Sequence, residues 1–234
     1  DRKRVKDWQR LTKRNPVFNE EEVRKMSQAG VNALASQQVS DGGWGWFSGF
    51  GERSWPHTAA LVVHGLQLAK ANDVALPPNM LERGVEWLKN YQNQQLRLLN
   101  NAATKTIPYK EHADNIDAMV YMTLVDGGVD NTEMRDYLYR DRTHIAVYAK
   151  AMFGLALHKT KQKDKLDMIM QNIEQYLVQD DENQTAYLRM PESNNWWYWY
   201  GNEIEANAYY LKLLSLTGAK DEKASRLVKY LLNN

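Results

Sequence analysis

Residues 37–46 read Gln37-Gln38-Val39-Ser40-Asp41-Gly42-Gly43-Trp44-Gly45-Trp46, and this stretch decides how the chain folds. One apolar-periodic segment precedes it and another follows. Gly42, Gly43 and Gly45 reach backbone angles that other residues resist, so the preceding helix must stop here. Two tryptophans then stand in the turn, where solvent favours polar residues. Large aromatics in a loop fold back onto apolar surface or line a cavity.

Upstream, Asn19-Glu20-Glu21-Glu22 has the form of a capping box, with Asn19 as N-cap and Glu22 at the third helical position. Helix one is expected from there to about Gln37, burying Val23, Met26, Val31 and Leu34. Residues 1–18 form a basic, poorly periodic lead around Trp8. Downstream, Ser54-Trp55-Pro56 opens helix two, with Ser54 as cap and Pro56 tolerated in the first turn. Ala59, Leu61, Val62, Val63, Leu66 and Leu68 make that helix apolar round most of its circumference, which predicts burial on two sides.

Pro77-Pro78 begins helix three, which carries Leu81, Val85, Trp87, Leu88 and Tyr91. Helix four is expected over 112–125, helix five over 132–139 and a nearly all-apolar helix six over 143–159. Helix seven, 163–178, is amphipathic. A long loop, 179–201, holds Trp196-Trp197-Tyr198-Trp199-Tyr200 before helices over 203–216 and 221–232. Apolar helices (two, six, eight) alternate with amphipathic ones (one, three, seven), the pattern of inner and outer layers. The fold class is therefore expected to be all-α, an α/α toroid: a two-layer ring of helical hairpins. Residues 19–234 form its single domain. A degenerate repeat agrees: Trp44 and Trp46 before Thr58-Ala59-Ala60-Leu61 echo Trp197 and Trp199 before Glu205-Ala206-Asn207-Ala208.

Bulk properties narrow the function. A formal net charge of +1 in 234 residues gives no field that calls for nucleic acid or acidic lipid. No apolar run is long enough to span a membrane. Cysteine is absent, which removes disulfides, thiolate zinc sites and a cysteine nucleophile from this segment. No phosphate-binding loop, dinucleotide fingerprint or serine nucleophile elbow is present. No cofactor is expected. The start, Asp1-Arg2-Lys3-Arg4, is unlike a signal peptide and reads as the inside of a longer protein.

In order, the segments from Gln38 to Ala59, 142–157, and Asn202-Glu203-Ile204-Glu205-Ala206-Asn207-Ala208-Tyr209 resemble the thioester-containing domain of the alpha-2-macroglobulin and complement superfamily. The bacterial alpha-2-macroglobulin-like proteins are most similar. The resemblance covers about residues 20–218 and implies a ring that is incomplete at both ends. It implies a non-catalytic domain of a protease-trapping protein of the cell envelope, periplasmic or extracellular. Its partners would be the other domains of the parent chain and, through the parent, target proteases. The family's Cys-x-Glu-Gln thioester segment is missing from this sequence and is expected before Asp1 or lost from the parent. The loop 47–55 also lacks the histidine of complement-type members, and His57 does not take over that role.

Candidate residues follow from chemistry and pattern. Trp44, Trp46, Trp55, Trp196, Trp197 and Trp199 suggest an aromatic rim, either a ligand or interface patch or plugs of hairpin ends, and the plug reading is preferred. Glu205, expected to face the inner layer, would need a buried partner. Asp114 and Asp117 at i, i+3 with His112 nearby place two carboxylates on one face, as an acid–base pair, a metal site or a capping feature. His57, His64, His144 and His158 lack metal-type spacing and read as structural or surface residues. The competing readings are a toroid enzyme of the terpene cyclase or polysaccharide lyase type, and a carbohydrate-binding module using the tryptophans. The absence of an Asp-x-Asp-Asp motif and of a zinc-binding cysteine stands against the first.

Overall fold

The computed structural model describes residues 19–47, 51–190, 203–218 and 222–234. Among these residues the fold is all-α apart from one hairpin. In chain order the elements are α1 (Glu20–Ser36), α2 (Pro56–Ala71), α3 (Met80–Ala102), α4 (Asn115–Asp126), α5 (Thr132–Arg140), α6 (Val147–Lys159), α7 (Lys163–Glu174), β1 (Leu177–Asp180), β2 (Thr185–Leu188), α8 (Glu203–Thr217) and α9 (Glu222–Asn233). The chain divides after Trp87 into two compact units, with the boundary inside α3. No helix among the described residues is long and apolar enough to cross a membrane. The lead 1–18 and Trp196, Trp197 and Trp199 lie outside the described residues.

In the first unit, Asn19 caps α1 by accepting from the Glu21 and Glu22 amides. Val31 is buried, but Val23 and Met26 are 38% and 57% exposed, so the expected buried face of α1 is short. Helix α2 buries Ala59, Ala60, Val63, His64 and Leu66 and leaves Leu61 and Leu68 half exposed, so it is buried on one side rather than two. Trp55, not Ser54, is its N-cap residue, and no side chain caps it.

The second unit is built round α6. Every residue from Val147 to Leu157 is buried. Helices α4, α7 and α8 pack against it. Gly154 permits the approach of α8: a Cβ there would stand 2.7 Å from a Leu213 methyl. Helix α4 is equally enclosed from Asp117 to Val125. Helix α8 instead buries one stripe, Ala206, Asn207, Tyr210, Leu213 and Leu214, and exposes Ile204 and Leu216. The fully enclosed helices are thus four and six, not two, six and eight. Helix six starts four residues later than expected because 141–145 forms a turn, with the His144 amide donating to the Asp141 carbonyl at 2.8 Å.

The hairpin was not expected. Helix α7 stops at Glu174, and Leu177–Asp180 pairs antiparallel with Thr185–Leu188, with Leu177 opposite Leu188. Leu177 and Val178 fit a strand as well as a helical stripe, so apolar spacing over so short a run does not separate the two. The turn is closed by Asp180, which accepts from the Asn183 amide and side chain at 3.0 and 2.8 Å. Helix α9 packs on β2, with Tyr230 stacked on Tyr187 at 5.1 Å. Asn207, fully buried in α8, ties the hairpin to the helical core: its Oδ1 accepts from the Leu188 amide at 2.8 Å and its Nδ2 donates to the Glu203 carbonyl.

Asn207→Ala leaves the buried Leu188 amide without its acceptor, so it is expected to lower stability by about 1–3 kcal/mol. Urea unfolding measures the loss, and faster hydrogen exchange at the Leu188 amide localises it.

Candidate functional site

The Asp-Gly-Gly-Trp turn is a hydrogen-bonded knot within the first unit. Asp41 Oδ1 accepts from the Gly43 amide at 3.1 Å and the Ser54 hydroxyl at 2.6 Å, and Oδ2 accepts from Trp87 Nε1 at 3.0 Å. Burial opposes the charge of Asp41, but these three donors outweigh it and hold the carboxyl below its ordinary range. Gln38 Nε2 donates to the carbonyls of Gly42 and Met80 at 2.8 and 2.9 Å. Arg83 donates to the Val39 and Ser40 carbonyls, both at 3.1 Å. Gly42 has a φ of 100°, and a Cβ on it would lie 2.9 Å from the Arg83 carbonyl oxygen. Both conformation and space demand glycine there.

The turn separates the tryptophans. Trp44 is 2% exposed; its ring lies over Gly84 and its Nε1 donates to the Leu34 carbonyl at 2.8 Å. It fills the space between helices and presents nothing to a ligand. Trp46 and Trp55 are 39% and 51% exposed. Glu205 is half-buried on α8 near Tyr209, whose hydroxyl is held above its usual range by burial, then by Glu205 and Asp126. His64 is buried within α2, and His158 lies in the last turn of α6.

The acidic pair belongs to the second unit and does not share a helix face. Asp114 precedes α4 as its N-cap, accepting from the Ile116 and Asp117 amides, while Asp117 Oδ2 accepts back from the Asp114 amide at 2.9 Å. This reciprocal capping box accounts for the i, i+3 spacing. Lys110, which sequence reasoning missed, sits between the two: Nζ is 2.7 Å from Asp114 Oδ2 and 2.6 Å from Asp117 Oδ2, and it also donates to Gln95 Oε1. Asp117 is buried, and its Oδ1 has no hydrogen-bond partner. Burial, reinforced by Asp114 and opposed by Lys110, raises its carboxyl to about 6. A proton on Oδ1 removes the unpaired charge. Nearby, burial and then the two aspartates push the Tyr91 hydroxyl up.

A third cluster joins residues far apart in sequence. The rings of His112 and His144 stack with centroids 4.0 Å apart and planes 9° from parallel. Asp141, 2% exposed, lies beside them, with Oδ1 3.3 Å from His112 Nδ1. Arg140 donates to both carboxylate oxygens at 2.7 Å, and the Ala113 amide adds a bond of 2.8 Å to Oδ2. Burial works against the Asp141 charge; Arg140, Ala113 and His112 outweigh it and lower the carboxyl below its ordinary range. Nitrogen and oxygen donors of His112, Asp141 and His144 all fall within 4.8 Å of one another, close enough to hold an ion. The geometry argues against one. Parallel rings cannot both aim in-plane lone pairs at one centre, and Asp141 already accepts two bonds at each oxygen. The signal in the sequence was the charged run Arg140-Asp141-Arg142 between two helices.

No family model matches the sequence. A stretch of 71 residues is 35% identical to alpha-2-macroglobulin of Thermotoga maritima, covering 30% of this chain and 4% of that protein. The fold is that found in solved bacterial alpha-2-macroglobulins. Over 92% of the chain it matches the native Escherichia coli protein, solved from domain MG7 to the C-terminus, with TM-score 0.62 and 19% identity, covering 32% of that chain. It matches Salmonella alpha-2-macroglobulin reacted with methylamine with TM-score 0.66 and 17% identity, again over 92% of this chain and 13% of that one. The E. coli protein activated by porcine elastase gives TM-score 0.60 and 19% identity, over 92% of this chain and 18% of that one. The chain therefore spans about a third or less of these relatives, and it fits a fragment of such a protein.

Gly42→Ala is expected to cost about 1–3 kcal/mol, from its left-handed backbone and the close Arg83 carbonyl, read from the urea midpoint. Asp117 provides a pH test. Its folded value, about 6, lies above the ordinary 3.8. The folded state therefore favours the protonated form, so its contribution is full below the ordinary range and is lost as pH rises to about 6. A shift of this size corresponds to about 3 kcal/mol. Asp117→Asn is expected to remove that fall, so the stability difference between wild type and variant changes by this amount between pH 4 and 7.

Proposed function

We propose that the chain is part of a bacterial alpha-2-macroglobulin-like protein and serves there as a non-catalytic helical domain of a protease-trapping inhibitor in the cell envelope. The likeness of fold over 92% of the chain carries the reading, together with 35% identity over 71 residues to one alpha-2-macroglobulin. The residues agree with a structural and interaction role. Asp41, Asp114 and Trp44 are absorbed in holding turns and helix ends together. The 234 residues contain no cysteine, so they supply no thioester thiol. Exposed Trp46, Phe47 and Trp55 give the turn an apolar outer side suited to packing against another domain of the parent.

In this reading the parent changes state on proteolysis, and this domain moves or is uncovered as the trap closes. The full-length parent provides the test. It is mixed with elastase, and the products are separated by size under native conditions. Retention of elastase with the cleaved protein is the expected result; elastase eluting free after complete cleavage sinks the trapping role. Intact-mass measurement after methylamine treatment adds the mechanism. A gain of one methylamine indicates a covalent trap, and no gain restricts the parent to a non-covalent one.

A further inference from the structure

A cavity of about 360 Å3 opens in the second unit, where the first turn of α6 meets the start of α4 and the base of the hairpin. Asn115, His144, Tyr148, Lys150, Tyr176 and Met190 line it. Its size falls in the range of small-molecule sites.

Lys150 is the unusual member. It stands in the most enclosed helix of the protein and is 4% exposed. Its Nζ donates to the Ile145 carbonyl, and among the described residues no carboxylate pairs with it. One acceptor leaves two ammonium protons without a partner among the described residues. Charges are buried this way only when paired or neutralised. Burial holds the ammonium below the usual lysine range, and an anion beside it restores the charged form.

The rest of the lining matches an oxyanion. Asn115 Oδ1 accepts from the Ala146 amide at 2.7 Å, so its NH2 group is the part left for a ligand. Tyr176 and Thr143 add hydroxyls, and none of the lining residues is acidic. Asp141, two residues before Thr143, is engaged by Arg140 and the Ala113 amide. Ile145, Val147, Met190 and the tyrosine rings offer an apolar wall.

We propose that this cavity binds a carboxylate, whose oxygens accept from the Lys150 ammonium and the Asn115 amide while its apolar body lies against Tyr148, Tyr176 and Met190. The carboxylate belongs either to a small free acid or to an acidic side chain of another protein segment. The site is independent of the protease-trapping reading, and its test uses this chain alone.

Benzoate and the blocked dipeptide acetyl-Phe-Glu-amide are titrated into the chain by NMR, with benzamide and acetyl-Phe-Gln-amide as uncharged counterparts. Saturable binding of at least one acid is expected, with its amide at least about tenfold weaker, as for loss of a charge-assisted hydrogen bond. Binding of benzoate alone identifies a small acid, and binding of the peptide alone identifies a protein side chain. Lys150→Met is expected to abolish binding while melting no lower than wild type, because it removes a lone buried charge. Binding of neither acid, equal binding of acid and amide, or full binding by a folded Lys150→Met overturns the proposal. The acid–amide comparison on wild type decides the matter even if that variant fails to fold.

Discussion

Helix α6 is buried round its whole circumference, and that constraint organises the second unit. An apolar helix with no solvent face must be sheathed by other elements, and α4, α7 and α8 provide the sheath. Each neighbour then needs an apolar stripe turned toward it: Leu166, Ile169 and Ile173 on α7, and Ala206, Tyr210 and Leu213 on α8. Gly154 sets how closely α8 approaches. The hairpin and α9 pack on α8 and on each other, through the Asn207 bond to Leu188 and the Tyr187–Tyr230 stack.

Polar groups drawn into this interior are each resolved differently. Asp141 keeps its charge because converging donors outweigh burial. Asp117 has one satisfied oxygen and one bare oxygen, so its proton is favoured well above the usual range. Lys150 has a single carbonyl and no described counter-charge. Three outcomes from similar burial show that the local donor set, not depth alone, fixes the charge state.

In the function proposed above, the chain acts through relations with other domains rather than through an internal catalytic constellation. The clusters found here are largely absorbed in structure: a three-donor turn, a capping box bridged by Lys110, and a histidine pair stacked beside a saturated carboxylate. What they leave outward is the exposed aromatic side of the Gly-Trp turn and the Lys150 cavity.

Much of the fold was legible in the sequence. Apolar periodicity located the helices, Asn19 and the glycines marked ends, and the ordered motifs indicated bacterial alpha-2-macroglobulin, because these signals act within a few residues of one another. The site was less legible. The spacing of Asp114 and Asp117 was visible, but Lys110 between them was not. Trp44 and Trp46 looked equivalent, yet one is enclosed and the other exposed. Only tertiary structure decided which helices are sheathed, that Leu177–Leu188 pairs as a hairpin, that His112 meets His144, and that Lys150 lines a cavity with no carboxylate partner among the described residues. Burial and charge environment come from partners tens of residues away, and no local pattern encodes which partners those are.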